Sequence, residues 1–284
     1  MTERPISWDE IFEKLTEKQN LSDLQINWAM SQILDGLANN DQIKNFLLLL
    51  KAKGEKPSEV RALVDVMYQR GIAINIAERA VDIVGTGGDG ASTINISTTA
   101  AIITTAAGAR TIKHGNRAAS SKSGAADLLE ALGIDISLGA EQIQECVRRI
   151  GIGFAFAPVF HPAMKNAASA RRELATPTVF NILGPLANPA KPKAVAIGVV
   201  RAELLELVAT VLAERGCEGF IFRGDDGLDE ISLSTTSTIF QINNGEITRH
   251  IFDPSELGLE RVGIEELRGG SPGENADITR AIFA

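Results

Sequence analysis

Four stretches of this chain gather the residue types that binding and catalysis need. The first is VDIVGTGGDGASTINISTT, residues 81–99. Gly85, Gly87, Gly88 and Gly90 let backbone N–H groups approach an anion closely. Asn95, Ser97 and Thr98 fall at the start of an alanine-rich helix, whose positive end favours phosphate. A tight turn followed by an ordinary helix cap accounts for the same residues, so turn and anion cradle both stay open. The glycine spacing is not a dinucleotide fingerprint, and no GKS or GKT marks a P-loop.

The second stretch is KHGNRAASSKSGAAD, residues 113–127. Lys113, Arg117 and Lys122 supply cations, and Ser120, Ser121 and Ser123 supply hydroxyls. Arginine and lysine among serines suit a multiply charged phosphate. A solvated basic loop is the plain alternative. Two such loops after consecutive strands point to one shared phosphate site.

The third, GDDGLDE (224–230), holds Asp225, Asp226, Asp229 and Glu230. Magnesium takes one or two carboxylates, several waters and substrate phosphate oxygens. Beside a phosphate site these acids suit that ion, and an acidic surface turn explains them equally. The fourth is FHPAMKNAASARRELATPTVFNILGPLANPA, residues 160–190. His161, Arg171 or Arg172 could face a carboxylate, although His161 before Pro162 also reads as a helix opening. One of the two arginines must be solvated, because adjacent helix residues do not share a face. NILGPLANP reads as a stiff loop or hinge.

The elements that position these stretches fall into two patterns. Residues 1–75 read as helices. Ile26, Met30, Ile33, Leu34 and Leu37 lie at helical spacing, as do Ile43, Phe46, Leu47 and Leu50, then Val60, Leu63, Val64 and Met67. Pro57-Ser58 reads as a helix start with Ser58 as N-cap. From about residue 80, VDIV, RTIKH, DIS, GFAFAP, KAVAIGVV and GFIFRG read as strands alternating with helices. The expected fold is therefore α/β: a small N-terminal helical domain (1–75) and a larger domain (76–284) around a mostly parallel sheet, with a segment near 165–190 packing on the helical part. Ligands in such sheets bind beyond the carboxyl ends of the strands.

With 284 residues the chain has room for a large core. A net charge of −8 argues against nucleic acid as the partner. Two cysteines without a CxxC give no structural zinc pattern. The absence of a signal peptide or membrane-length apolar run leads to the expectation of a soluble cytoplasmic protein.

Taken together, DIVGTGGDG, NIST, KHGNRAASSKSGAADLLEALG, FAPVFHPAMK, NILGPLANPA and DGLDE closely resemble the motifs of the anthranilate phosphoribosyltransferase family, in that family's order and from about residue 10 onward. The resemblance implies phosphoribosyl transfer from phosphoribosyl pyrophosphate to anthranilate, with magnesium as cofactor. It also implies a homodimer through the helical part and an active site at the cleft between the domains. By resemblance, Gly85, Gly88, Asp89, Thr93, Asn95, Ile96, Ser97 and Thr98 contact phosphoribosyl pyrophosphate. So do Lys113, His114, Gly115, Asn116, Arg117 and Ala118, with Ala119, Ser120, Ser121 and Ala125 after them. Ser97, Asp229 and Glu230 hold the metal. Gly85, Asn116, His161 and Arg171 contact anthranilate, with Arg171 rather than Arg172 on its carboxylate. No residue is assigned as general base or nucleophile.

Two departures stand out. Ala125 occupies a position where the family often has serine. Family members also continue for several elements past NADITRAIFA, so the resemblance implies a C-terminally incomplete α/β domain. The alternatives are a nucleoside phosphorylase-like ribosyl transfer and a non-catalytic, nucleic-acid-binding relative.

Overall fold

The structure is a computed structural model that describes residues 5–118 and 121–284. In chain order the helices α1 (Trp8–Thr16), α2 (Asp23–Leu34), α3 (Asn40–Lys53) and α4 (Pro57–Arg70) come first. Then follow β1 (Ala80–Gly85), α5 (Ile96–Ala106), β2 (Arg110–Gly115), α6 (Ala125–Ala131), α7 (Ala140–Ile150) and β3 (Ile152–Phe156). Next are α8 (Ala157–Phe160), α9 (Ala168–Leu174), α10 (Phe180–Leu186), β4 (Ala194–Gly198), α11 (Leu205–Glu214) and β5 (Glu218–Gly224). The hairpin β6 (Ser237–Asn243) and β7 (Glu246–Phe252) precedes α12 (Pro272–Ile282). Two compact units result, residues 1–72 with 161–183, and residues 73–160 with 184–284.

In the helical unit the apolar stripes turn inward. Ile26, Met30, Ile33, Ile43, Phe46, Leu47, Leu50, Val60, Leu63, Val64 and Met67 are all buried. Each such side chain contributes about 1.5–3 kcal/mol by leaving water. Ser22 and Asn39 close capping boxes that start α2 and α3. Two expectations fail locally. Leu37 is exposed, because α2 ends at Leu34 and Gly36 turns the chain at φ +72°. Ser58 does not cap α4, which already begins at Pro57. The N-cap is Lys56, which makes no side-chain cap bond, and Glu59 Oε2 accepts the Lys56 N–H at 2.9 Å.

The larger unit is built on a seven-stranded sheet of order β3-β2-β1-β4-β5-β6-β7. The first five of these strands are parallel, and β6 and β7 pair antiparallel. DIS (135–137) forms no strand, and NILGPLANP is not all loop, since α10 runs through Pro185 to Leu186. No helix among the described residues is long and apolar enough to cross a membrane.

Strand order reverses between β1 and β4. Chain connections lead from β1 outward through β2 to β3 on one side, and from β4 to β5 on the other. Such a switch opens a crevice at the carboxyl ends of the two central strands. There Gly85 of β1 pairs with Gly198 of β4.

Candidate functional site

Loop 86–95 leaves β1 at that crevice and enters α5. Gly87, Gly88 and Gly90 have φ of +67°, +90° and +75°, and a Cβ on any of them would meet open space. Backbone conformation, not crowding, requires glycine there. Gly85 is glycine for the opposite reason: its Cβ would stand 2.2 Å from Asp229 Oδ2. The acidic loop therefore lies directly on the end of β1.

Asp229 and Glu230 are set apart from the other two acids of GDDGLDE. Asp225 accepts the hydroxyl of Thr236, and Asp226 accepts those of Ser232 and Ser234. Asp229 is buried, and its Oδ2 accepts the Gly87 N–H at 2.6 Å. Burial lifts its carboxyl to about 6, and the neighbouring Asp89, in hydrogen-bond contact with it, pushes the same way against the Gly87 N–H. Half-buried Glu230 is lifted to about 8 by desolvation and by the charges of Asp229 and Asp89, against the pull of Lys113. Asp89 also holds its own turn, accepting the Ala91 N–H at 3.1 Å.

Lys113, on β2, reaches under this group. Its Nζ donates to Ile83 O at 2.5 Å and to Ser97 Oγ at 3.1 Å. Burial lowers its pKa, opposed by Asp82, Glu230 and Asp229. In the first turn of α5 the Thr98 hydroxyl is buried and has no hydrogen-bond partner among the described residues. A buried hydroxyl without a partner is costly unless a ligand or water meets it.

A magnesium ion can be tested against these residues. Among the described residues no group of three or more His, Cys, Asp or Glu is arranged to hold a metal. Magnesium does not need one, since one or two carboxylates with water and substrate phosphate satisfy it. The donors Asp229, Glu230 and Ser97 are all hard oxygens. Burial raises both Asp229 and Glu230, with Asp89 adding to each and Asp229 to Glu230, and a divalent cation relieves that crowding of buried carboxylates. The donor set fits.

The remaining candidates divide. Asn95 is bonded to Ser123, with Nδ2 donating to Ser123 O at 3.0 Å. Thr93 forms an antiparallel bridge with Arg268. Asn116 Oδ1 accepts the Arg117 N–H at 2.7 Å, and its carbonyl accepts the Ala126 N–H at 3.2 Å. The His114 ring is buried, with Nδ1 2.9 Å from Gly184 O. Gly115 packs against Phe154 and Ala125, whose Cβ would lie 3.1 Å from one on Gly115. Ile96 opens α5, and Ser121 Oγ donates to Ser123 O at 3.3 Å. Arg117 is turned toward α6, donating to Asp127 and Glu130 at 2.9 Å each, with its guanidinium 5.6 Å from the centre of the Phe156 ring. Ala119 and Ser120 lie outside the described residues.

His161 and Arg171 belong to the helical unit. His161 is buried and immediately precedes the 3-10 turn Pro162–Ala167, and a Cβ on Gly71 would stand 2.8 Å from its Nδ1. Arg171 on α9 has its guanidinium 5.9 Å from the centre of the Phe180 ring.

Asp127 is a site residue that the sequence motifs do not single out. Its Oδ2 accepts the N–H groups of both Ala118 and Gly124 at 2.9 Å, so it ties the two sides of the basic loop together. Burial pushes its carboxyl up, but those two N–H groups and Arg117 outweigh it and hold it below the usual range. The signal was an acid three residues after Gly124, the spacing of a capping box.

Comparisons with known proteins bear on the family and the fold. The model of the glycosyl transferase family a/b domain matches residues 77–284, and that of the family's helical bundle domain matches residues 9–71. The anthranilate phosphoribosyltransferase of Rhodococcus jostii is 49% identical over 98% of this chain and 77% of its own length. The crystal structure of the enzyme of that name from Thermus thermophilus superposes with a TM-score of 0.89 at 39% identity, covering 95% of this chain and 81% of its own. That from Saccharomyces cerevisiae, in complex with PRPP and Mg, gives 0.88 at 30% identity, covering 96% and 80%.

Proposed function

Because the chain belongs to the anthranilate phosphoribosyltransferase family, we propose that it transfers the phosphoribosyl group of phosphoribosyl pyrophosphate to the amine of anthranilate. The products are N-(5-phosphoribosyl)anthranilate and pyrophosphate, in tryptophan biosynthesis. The observation that carries this reading is the convergence at the end of β1. Loop 86–95, the start of α5, buried Lys113 and the Asp229–Glu230 pair all meet there.

In this reading the N-terminus of α5 and the N–H groups of loop 86–95 receive donor phosphate. The Thr98 hydroxyl gains a partner, and Lys113 adds positive charge from below. Asp229, Glu230 and Ser97 hold magnesium, which when bound neutralises charge on the departing pyrophosphate. Arg171 meets the anthranilate carboxylate, with His161, Asn116 and Gly85 as further acceptor contacts. The anthranilate amine is neutral at pH 7 and needs orientation more than activation. No general base is therefore assigned. The reading includes a homodimer through the helical unit, supported by Leu24 and Leu37, which that unit leaves 72% and 67% exposed.

The test is direct. Protein, anthranilate, phosphoribosyl pyrophosphate and magnesium are mixed, and the loss of anthranilate fluorescence is followed. Loss dependent on all components is expected. No loss, or release of base from a nucleoside with free phosphate and no metal, overturns the assignment.

A further inference from the structure

Asn275 lies on α12, 180 positions from Asn95 in sequence, and is 1% exposed. Its Nδ2 donates to Asn95 Oδ1 at 2.8 Å, and its Oδ1 accepts the Gly270 N–H at 2.7 Å. Asn95 Oδ1 also accepts the Ser123 hydroxyl at 3.1 Å, while Asn95 Nδ2 donates to the Ser123 carbonyl. The Ser123 carbonyl can only accept and the Gly270 N–H can only donate. These two backbone groups fix the orientation of both amides. Protons point one way along the series, from Gly270 through Asn275 and Asn95 to Ser123, and turning either amide over breaks two bonds.

The same segment braces the loop by its backbone. The Ile94 N–H donates to Leu267 O at 2.9 Å, and the Gly269 N–H donates to Ser92 O at 2.8 Å. Gly269 has no room for a side chain, since its Cβ would stand 2.7 Å from Thr93 O and 2.8 Å from Asn275 Oδ1. With both lone pairs of Asn95 Oδ1 taken, its side chain is engaged by protein. What Asn95 controls is the entry into α5, where Ser97 and Thr98 follow.

We propose that Asn275 is a positioning residue for the donor phosphates. Through Asn95 it sets the first turn of α5, and through Ser123 it holds the basic loop in the same register. This rests on loop 86–98 being the donor site. It assigns to α12, which touches none of the reacting atoms in that reading, a specific part in donor affinity.

Asn275→Asp keeps the volume and the acceptor for Gly270 but sets oxygen against Asn95 Oδ1. The readouts are the Kd for phosphoribosyl pyrophosphate with magnesium by titration calorimetry, KM for each substrate, and Tm. The expected result is a donor Kd and KM raised about tenfold, the scale of one lost buried hydrogen bond, with the anthranilate KM unchanged. Ser123→Ala, which removes one bond from the other side of Asn95, is expected to weaken donor binding in the same direction. It carries the test if Asn275→Asp does not fold. Unchanged donor Kd in a folded variant, or equal rises in both KM values, overturns the inference alone. An unsubstituted protein that binds no donor overturns the site reading and this inference with it.

Discussion

Asp229 lies against Gly198: a Cβ on Gly198 would stand 1.7 Å from the Asp229 carbonyl oxygen and 2.6 Å from its carbonyl carbon. The end of β4 and the acidic loop thus touch backbone to backbone. Gly198→Ala must move Asp229, at a cost of about 1–3 kcal/mol for overpacking, and must raise the magnesium needed for half-maximal rate. Gly184→Ala, with no atom within 4 Å of its Cβ, is the control and stays within about 1 kcal/mol of the parent. Urea unfolding and a magnesium titration check both. Equal effects of the two substitutions would remove the close contact as the cause.

Asp229→Asn combined with Glu230→Gln keeps hydrogen-bonding capacity but removes both charges. The magnesium midpoint of the fluorescence assay is expected to rise at least about tenfold, as hard-oxygen coordination loses its anionic ligands. Asp225→Asn is expected to leave the midpoint unchanged, because Asp225 is exposed and its carboxylate accepts the Thr236 hydroxyl. A double variant with the parent midpoint removes these residues from the metal site.

Arg171 and Arg172 are neighbours that separate in kinetics. Both residues are exposed, but only the Arg171 guanidinium is placed over a ring, that of Phe180. Arg171→Ala is expected to raise the anthranilate KM about tenfold or more, the scale of a lost charged hydrogen bond, without changing the donor KM. Arg172→Ala should alter neither. Initial rates across both substrate concentrations decide it, and the reverse pattern would transfer the carboxylate contact to Arg172.

Much of this architecture is legible from periodicity. The apolar stripes of α2, α3 and α4 and the strand–helix alternation after residue 80 follow directly from which faces must leave water. The β6–β7 hairpin escapes a reading tuned to alternation, although Asn244-Gly245, with φ of +50° and +81°, is the turn pair that signals it. Ser58 misleads because Pro57 can start a helix without a side-chain cap. At the site, glycine density marks loop 86–90, but sequence does not distinguish glycines needed for positive φ from Gly85, needed because Asp229 approaches. Asp127 carries a local signal at capping spacing. Asn275 carries none, because its partner lies 180 positions away and an asparagine before an alanine in a helix is unremarkable on its own.

Asp82, buried on β1, gives the fold a pH dependence. Burial lifts its carboxyl to about 6, although Lys113, the Asn188 amide and the His114 N–H all pull it down. A folded pKa above the unfolded value of about 4 means that the folded state binds the proton more tightly. Its contribution is present below pH 4 and is lost as pH rises through about 6. The loss amounts to about 3 kcal/mol at two pKa units. Denaturant midpoints between pH 4.5 and 7, in chelator, should fall more steeply for the parent than for Asp82→Asn. Identical slopes would exclude Asp82 as the source.

In the helical unit, Lys53 and Glu59 form an ion pair at 2.7 Å with side chains 2% and 0% exposed. Glu59 does more than pair, since Oε1 accepts the Leu21 N–H and Oε2 the Lys56 N–H, both at 2.9 Å. Lys53→Met leaves a buried carboxylate without its cation, and a loss of about 3–5 kcal/mol is expected. Adding Glu59→Gln removes the stranded charge while keeping one oxygen to accept an N–H. The double variant should therefore be more stable than Lys53→Met alone. Denaturant unfolding of the four combinations gives the coupling. Additive losses would mean that packing of the lysine stem, and not the uncompensated charge, sets the stability of this corner of the bundle.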